Sequence, residues 1–289
     1  MTPAAFKRSI RDLQVWCSSC MVAFAGADPI GVLIGAKRTS GTLVHRVAVH
    51  PDHRRQGHGR HLLASLGSKL AILGPPRIIA EVPQSLAAAC GLFSACGYVE
   101  EAVLTDYVLA RPALTLRQAQ GYPARSRGMS ERGEAARVEG PAPSERVEGF
   151  VIPVTVDDLA ANGLLGEAPP SPSASAGQVH HVCWERSVQT LTARKDDIAG
   201  LAVASDERIE AYLLYVARGV DAEIVSLRSF LEDGGARLKH LLSQLRARGM
   251  ETFRFPKVHP AEISKEWLNT LGFRPAGGHL LYAARARSV

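Results

Sequence analysis

The sequence predicts an α/β fold built in two halves, each with a mixed α+β sheet. The chain has 289 residues, which is more than one domain of ordinary size usually holds. Strand-like and helix-like patterns alternate up to about residue 111 and again from residue 150 to 289. Between them, residues 112–149 contain little apolar sequence and many Gly, Pro, Ser and charged residues. We therefore predict domains at 1–111 and 150–289, joined by a flexible linker at 112–149.

The first half alternates between short apolar strands and amphipathic helices. Residues 6–17 have helical periodicity, and a turn at Gly26-Ala27-Asp28-Pro29 separates two strand-like runs. Leucines form one stripe along residues 60–73, and Gly74-Pro75-Pro76 ends that helix. The predicted order is helix 6–17, strands 21–25, 30–36 and 42–49, helix 60–73, strand 77–82, helix 85–95 and strand 102–110.

The second half repeats this order. We predict strands at 198–204, 209–217 and 222–229, a helix at 235–248, a strand at 252–255, a helix at 262–271 and a strand at 279–284. Residues 61–66 (HLLASL) are similar to residues 240–245 (HLLSQL), and Gly97-Tyr98 is similar to Gly272-Phe273. These short matches favour an internal duplication, with chance similarity between two α/β halves as the alternative.

Composition restricts the class of protein. A net charge of +6 favours a polyanionic partner, which includes nucleic acid, membrane and phosphorylated small molecules. A 6% aromatic share disfavours a base-stacking surface. Five cysteines do not make a disulfide framework, and the most apolar run, 21–36, is broken by Gly, Asp and Pro. We expect a cytoplasmic protein without a membrane or leader segment.

A glycine-rich basic turn follows the strand at 42–49 and opens the helix at 60–73. It reads Arg54-Arg55-Gln56-Gly57-His58-Gly59. Glycine permits positive φ and close backbone approach, and the first amides of a helix lack intrahelical acceptors. Together with the helix dipole they form a site suited to a diphosphate, and Arg54, Arg55 and Arg60 add charge that also suits a 3′-phosphate. A tight turn without a ligand is the alternative.

This turn resembles the hallmark of the GCN5-related N-acetyltransferase (GNAT) superfamily, Arg/Gln-x-x-Gly-x-Gly/Ala between the fourth strand and the third helix. The resemblance implies two GNAT-like acyl-CoA N-acyltransferase domains and acetyl-CoA as co-substrate. It also implies that two strands splay apart and that pantetheine forms sheet-like bonds in the gap, with Val47 and Val49 as its partners. The implied cofactor-binding residues are Val47, Ala48, Val49, Arg54, Arg55, Gln56, Gly57, His58, Gly59 and Arg60.

Residues 80–98 resemble the segment of ribosomal-protein N-terminal acetyltransferases that runs from a glutamate to Gly-Phe. The resemblance implies that Glu81 is the general base, and a solvated charge at a strand end is the alternative. A cofactor-contacting asparagine of that branch falls on Leu86, and the tyrosine that protonates departing coenzyme A falls on Phe93. Phe93 has no proton to give, so the thiolate must take one from water, Tyr98, Cys90 or another group.

Other candidate sites carry weaker signals. Cys17 and Cys20 form a Cys-x-x-Cys pair without further zinc ligands at a suitable spacing, and we interpret them as ordinary small apolar residues. Histidines crowd residues 45–61, but this position favours solvation or phosphate contact, so we predict no metal. In the second half, Glu232 and Asp233 stand where the first half has arginines, which predicts that this half has lost cofactor binding.

The function that these observations favour is an acetyl-CoA-dependent N-acetyltransferase that acts on a small-molecule or peptide amine. The first alternative is a catalytically weak acyl-CoA-binding sensor or scaffold. A basic nucleic-acid-binding protein ranks last, because the positive charges concentrate at one turn and in the linker. Association into a homodimer is left open.

Overall fold

The structure, a computed structural model, describes residues 3–110, 149–165 and 182–287. The predicted linker at 112–149 lies outside these ranges except for Gly149.

The first half contains every helix and strand predicted for it. The elements are α1 (Pro3–Leu13), β1 (Met21–Ala25), β2 (Asp28–Arg38), β3 (Gly41–Val49), α2 (His58–Leu73), β4 (Arg77–Pro83), α3 (Ala87–Ala95) and β5 (Val99–Leu109). Helix α1 ends earlier than predicted because Gln14 has a φ of 60° and Val15 forms a β-bridge with Ala36. Tertiary pairing thus overrides the helical pattern at its end.

The second half contains the predicted elements and three that sequence reasoning missed. The elements are β6 (Phe150–Val154), α4 (Val156–Ala161), α5 (Val188–Ala193), β7 (Ala199–Ala204), β8 (Ile209–Arg218), β9 (Asp221–Ser229), α6 (Ala236–Ala247), β10 (Thr252–Val258), α7 (Lys265–Thr270) and β11 (Arg274–Arg285). Elements β6, α4 and α5 were not predicted. Helix α4 did carry a signal, since Thr155 and Asp158 form a capping box.

The eleven strands of the described residues form one sheet, in the order β1-β2-β3-β4-β11-β5-β10-β9-β8-β7-β6. Strand β11 pairs with β4 from Arg285↔Arg77 to His279↔Pro83, and with β5 on its other side. Strand β5 in turn pairs with β10, as at Phe253↔Leu109. The last strand of each half therefore lies between strands of the other half, so the two halves share a single sheet.

The two halves are built alike around the elements that position the candidate site. Helices α2 and α6 both begin after a left-handed glycine, Gly57 with φ 87° and Gly235 with φ 83°. Gly97 and Gly272, which precede β5 and β11, also have positive φ. The leucines shared by the two HLL motifs are buried in both helices: Leu62, Leu63 and Leu66 in α2, and Leu241, Leu242 and Leu245 in α6. These similarities favour duplication over chance.

Apolar residues pack on both faces of the sheet. In the first half, α2 and α3 cover one face, where Leu66 and Phe93 are buried. The opposite face joins the halves, because Leu13 and Ile79 pack there with Trp184 and Leu281. Across the described ranges, no helix is long and apolar enough to cross a membrane.

Candidate functional site

The basic turn forms an open helix N-terminus. Gly57 is the N-cap residue of α2, and within the described part of the chain no side chain caps this helix end. The first intrahelical bond runs from the His61 amide to the Gly57 carbonyl at 3.0 Å. The amides of His58, Gly59 and Arg60 thus lack intrahelical acceptors and present a positive helix end, as the sequence predicts.

The side chains of the turn divide into those that shape it and those that face solvent. Arg54 Nε donates to the Val49 carbonyl at 3.1 Å, and Gln56 Nε2 donates to the Asp52 carbonyl at 3.1 Å. Arg55 is exposed and has a φ of 64°. A Cβ on Gly59 would lie 3.1 Å from Leu92 Cδ2, so Gly59 also permits close packing between α2 and α3.

Strands β3 and β4 separate just before this turn. They pair in parallel only at Thr42↔Ile78 and Leu43↔Ile79. The register of β3 with β2 shifts between Val44 and Arg46, which leaves His45 as an extra, bulged residue. Beyond the bulge β3 continues to pair with β2 through Val49. Val47, Ala48 and Val49 therefore border the gap between β3 and β4, which leads towards the basic turn.

Glu81 lies on β4 beside this gap, but its carboxylate is enclosed by the second half of the chain. Its side chain is 3% exposed. The Trp184 amide donates to Glu81 Oε1 at 2.8 Å, and Lys257 Nζ lies 3.1 Å from Glu81 Oε2. Glu81 is therefore part of a buried ion pair rather than a solvated charge. Its role as a base stays a prediction.

Lys257 joins two carboxylates from distant parts of the chain. Besides Glu81, it contacts Glu185 Oε1 at 3.2 Å, and its amide donates to Asp106 Oδ1 at 2.8 Å. Lys257 lies at a bulge of β10 with a φ of 52°. Burial alone lowers the pKa of the Lys257 ammonium, but the charges of Glu81 and Glu185 outweigh it and hold that pKa above the usual value.

Two histidines lie in the same electrostatic environment. Burial, followed by the charge of Arg46, lowers the pKa of His45, the bulged residue. Burial also lowers the pKa of His279, although the neighbouring Asp106 opposes the shift. Both shifts favour the neutral imidazole.

The side chain at position 93 is a buried phenylalanine that packs against two tyrosines. Phe93 is buried, stacks on Tyr282 with ring centroids 5.8 Å apart, and meets Tyr98 edge-on at 5.1 Å. Burial raises the pKa of the Tyr98 phenol, which makes it a weaker proton donor. The Tyr282 hydroxyl lies 3.4 Å from Ser94 Oγ, next to Phe93 in the chain. Leu86 is exposed at the start of α3.

The equivalent helix end in the second half is closed by Asp233. Its carboxylate accepts from the Gly235 amide at 2.9 Å and from the Arg237 amide at 3.0 Å. Arg237 Nη1 lies 3.0 Å from the same carboxylate. An internal carboxylate thus occupies the Arg237 amide, which is the equivalent of the Gly59 amide of α2.

A cavity of about 1350 Å³ lies between the halves, away from the basic turn. Arg38, Trp184, Arg228, His259 and Trp267 contribute to its lining. Trp184 connects this cavity with Glu81: it lines the cavity, and its amide donates to the Glu81 carboxylate. The residues that line the cavity include neither Val47–Val49 nor the basic turn, so the cavity and the gap between β3 and β4 are separate features.

The remaining candidate motifs show no assembled site in the described residues. All five cysteines are free, and Cys183 is buried. His53 makes edge-on ring contacts with His50 and with His58. In the described ranges no group of three or more His, Cys, Asp or Glu side chains is arranged to hold a metal.

Sequence reasoning missed the residues that surround Glu81. Trp184 and Lys257 are 103 and 176 positions away in the chain, and no spacing pattern connects them to β4. Tyr282 was likewise missed, because the insertion of β11 next to β4 cannot be read from local sequence.

Comparison with known proteins agrees with this geometry. Residues 16–100 match the sequence family described as acetyltransferase (GNAT) domain, and a search of curated proteins finds no match. One similar structure is a tandem GNAT protein from the clavulanic acid biosynthesis pathway, solved without AcCoA, with 16% identity and a TM-score of 0.57 over 97% of this chain and 87% of that chain.

Two further similar structures are GCN5-related N-acetyltransferases. The protein from Sphaerobacter thermophilus shares 15% identity, with a TM-score of 0.57 over 93% of this chain and 81% of that chain. The protein from Anabaena variabilis shares 8% identity, with a TM-score of 0.59 over 99% of this chain and 67% of that chain. At these identities the likeness is one of fold, and it extends over both halves.

Proposed function

We propose that this chain, whose residues 16–100 match the acetyltransferase (GNAT) domain family and whose fold is similar to that of a tandem GNAT protein, transfers an acetyl group from acetyl-CoA to an amine. The first half carries the proposed reaction. The acceptor is a small-molecule or peptide amine whose identity is open.

The observation that carries this proposal is the uncapped N-terminus of α2 beside the gap between β3 and β4. The amides of His58, Gly59 and Arg60 suit the diphosphate of CoA, and the exposed Arg55 adds positive charge. The free edge of β3 at Val47–Val49 suits sheet-like hydrogen bonds to pantetheine.

In the proposed reaction, the amine nitrogen attacks the thioester carbonyl, a C–N bond forms and the C–S bond breaks. The amine loses a proton, and the thiolate of CoA takes one up. An α-amine with a pKa near 7.7–8.0 requires only about 1 kcal/mol to lose its proton at pH 7, whereas a lysine requires about 4.6. We assign the amine proton to Glu81, directly or through one water.

We assign protonation of the thiolate to Tyr282. Its ring stacks on Phe93, the position at which the resemblance places a tyrosine, and its hydroxyl lies beside Ser94. Tyr98 also contacts Phe93, but burial raises its pKa. Strand β11 therefore brings a phenol from the second half into contact with Phe93.

The second half serves as a structural partner rather than a second catalytic unit. Asp233 occupies the Gly235 and Arg237 amides at the start of α6, and Trp184 and Lys257 contact the Glu81 carboxylate. We propose that this half completes the wall around the acceptor.

Two measurements on the full chain test the function. Isothermal titration calorimetry with CoA should detect binding, and Arg55→Gln should weaken it about tenfold, as expected for loss of one charge-assisted contact. Arg248→Gln, which removes an exposed arginine after α6, is the matched control and should bind normally. Free-thiol release from acetyl-CoA with a panel of α-amines, small amines and peptides then tests transfer.

The alternatives give different results in the same assays. A sensor or scaffold binds CoA but releases no thiol with any amine. A nucleic-acid-binding protein retains DNA in a salt-dependent way that CoA does not compete with. Absence of CoA binding at millimolar concentration would reject the proposed function itself.

A further inference from the structure

The buried ion pair around Glu81 has a feature that the proposed reaction does not explain. A carboxylate that is 3% exposed loses most of its hydration, and burial favours its neutral form by up to several pKa units. A protonated Glu81 cannot accept a proton from an amine. Some group must therefore favour the ionised form at neutral pH.

The second half supplies two such contacts. Lys257 Nζ lies 3.1 Å from Glu81 Oε2, and the Trp184 amide donates to Oε1 at 2.8 Å. Each carboxylate oxygen is thus bound by a different partner, which fixes the plane of the carboxylate as well as its charge. The Lys257 side chain is itself only 16% exposed, so solvent screens the pair weakly.

Lys257 is held in place by contacts of its own. Its amide donates to Asp106 and its carbonyl accepts from Arg186 Nη2 at 3.0 Å. Arg186 is bound through both Nη atoms to Glu262 at 2.6 Å. These contacts hold the backbone at a φ of 52°, so the ammonium is aimed by a rigid bulge rather than by a flexible surface side chain.

We propose that Lys257 is a positioning residue of the second half that keeps Glu81 ionised and oriented for proton transfer in the first half. This proposal rests on the proposed N-acetyltransferase function. It gives the second half a defined part in the reaction, although Asp233 occupies the start of α6 in that half.

Several other titratable groups lie near Glu81 and Lys257 and enter the expected pH dependence. They come from each neighbouring element: Arg38 on β2, His45 on β3, Asp106 on β5, Cys183, Glu185 and Arg186 in the segment before α5, and His279 on β11. Glu185 is the closest competitor, because it shares the Lys257 ammonium at 3.2 Å.

The test uses the full chain with four substitutions. Lys257→Met removes the charge at similar length, and Lys257→Arg keeps it. Glu185→Gln removes the like charge that shares the ammonium. Lys265→Met, at the exposed start of α7, is the control for loss of a lysine.

Two readouts are compared for each variant. One is the acidic limb of kcat/KM against pH, measured by thiol release. The other is the ¹³C NMR titration of the Glu81 carboxyl, assigned by its loss in Glu81→Gln. The second readout does not require turnover, so it separates this inference from the proposed function.

Lys257→Met should move both the acidic limb and the Glu81 titration to higher pH by about one pH unit or more. The reason is that an opposite charge at this distance lowers the pKa of a carboxyl group by about one to three units. Lys257→Arg should keep the acidic limb and the Glu81 titration close to their wild-type positions. Glu185→Gln should move both curves to lower pH. Lys265→Met should leave them in place. A purely structural lysine would lower Tm without moving either curve.

Unmoved curves in a folded Lys257→Met protein would overturn the inference. Should that variant fail to fold, Glu185→Gln decides the question alone, since an unmoved Glu81 titration there also refutes the coupling. Absence of thiol release by the wild type would refute the proposed function instead, whatever the NMR titration shows.

Discussion

Replacing Asp233 tests why the two helix ends differ. In the second half this carboxylate binds the Gly235 and Arg237 amides, while the equivalent end of α2 is uncapped among the described residues. We predict that Asp233→Ala destabilises the chain and opens α6 to anions from solution.

The expected cost follows from the contacts that are lost. Removing an N-terminal cap costs about 1 kcal/mol, and charged hydrogen bonds contribute more than neutral ones. The Asp233 side chain is 13% exposed, so its removal affects a largely buried contact. Arg237 keeps its 2.7 Å contact with Glu210 in the variant, so its charge is not left unpaired. We therefore expect a loss of about 2 kcal/mol, or roughly 4–8 °C in Tm for a chain of this size.

The effect should depend on pH in a defined direction. Burial by itself raises the pKa of Asp233, but hydrogen bonds from the Arg237 and Gly235 amides and the Arg237 guanidinium outweigh it, and the pKa is lowered. A lowered folded-state pKa contributes stability above the unfolded value near 3.9, and this is lost as pH falls through the folded value. The difference in unfolding free energy between wild type and Asp233→Ala should be constant from pH 7 to 5 and shrink below about pH 4.

Calorimetric unfolding of the full chain measures this prediction. Asp233→Asn keeps a capping oxygen without the charge and should cost about half as much. Sulfate should raise the Tm of Asp233→Ala more than that of the wild type, at matched ionic strength in chloride. A Tm change under 1 °C, or an equal response to sulfate in both proteins, would refute the idea that Asp233 occupies this anion site.

Three further predictions concern the first half. In Gly57→Ala the added Cβ meets no atom within 4 Å, but the φ of 87° costs an alanine about 1–2 kcal/mol. The affinity for CoA, measured by calorimetry, should therefore fall about tenfold. The control Gly91→Ala in α3 should bind CoA normally. Tyr282→Phe preserves the ring stack and removes the hydroxyl, so kcat for thiol release should fall about a hundredfold while KM for acetyl-CoA stays unchanged. An unchanged kcat would show that water, rather than Tyr282, protonates the thiolate. Deletion from Arg274 onward removes β11 from between β4 and β5 and should abolish both cooperative unfolding and CoA binding; a truncated chain that binds CoA normally would contradict the structural role of the exchanged strand.

Local sequence determined most of the elements and the basic turn. The leucine stripe of α2 and the glycines at 57 and 59 depend on contacts within a few residues, and periodicity and backbone chemistry report such contacts directly. The turn at Gly57 has the positive φ that its sequence requires. The capping box of α4 was also present in the sequence, although it was not used.

Some properties of this protein stay predictions from the sequence. They include the domain boundaries at 111 and 150, the cytoplasmic location and association into a homodimer. The acceptor amine belongs to this group as well.

The sequence by itself determined an α/β chain with a glycine-rich basic turn after its third strand, because that turn is a local arrangement of glycines, arginines and helix amides. Only the tertiary structure decided that β11 lies between β4 and β5 and that Lys257 meets Glu81. Such pairings join residues more than a hundred positions apart, and their energy depends on packing and burial that no local pattern records.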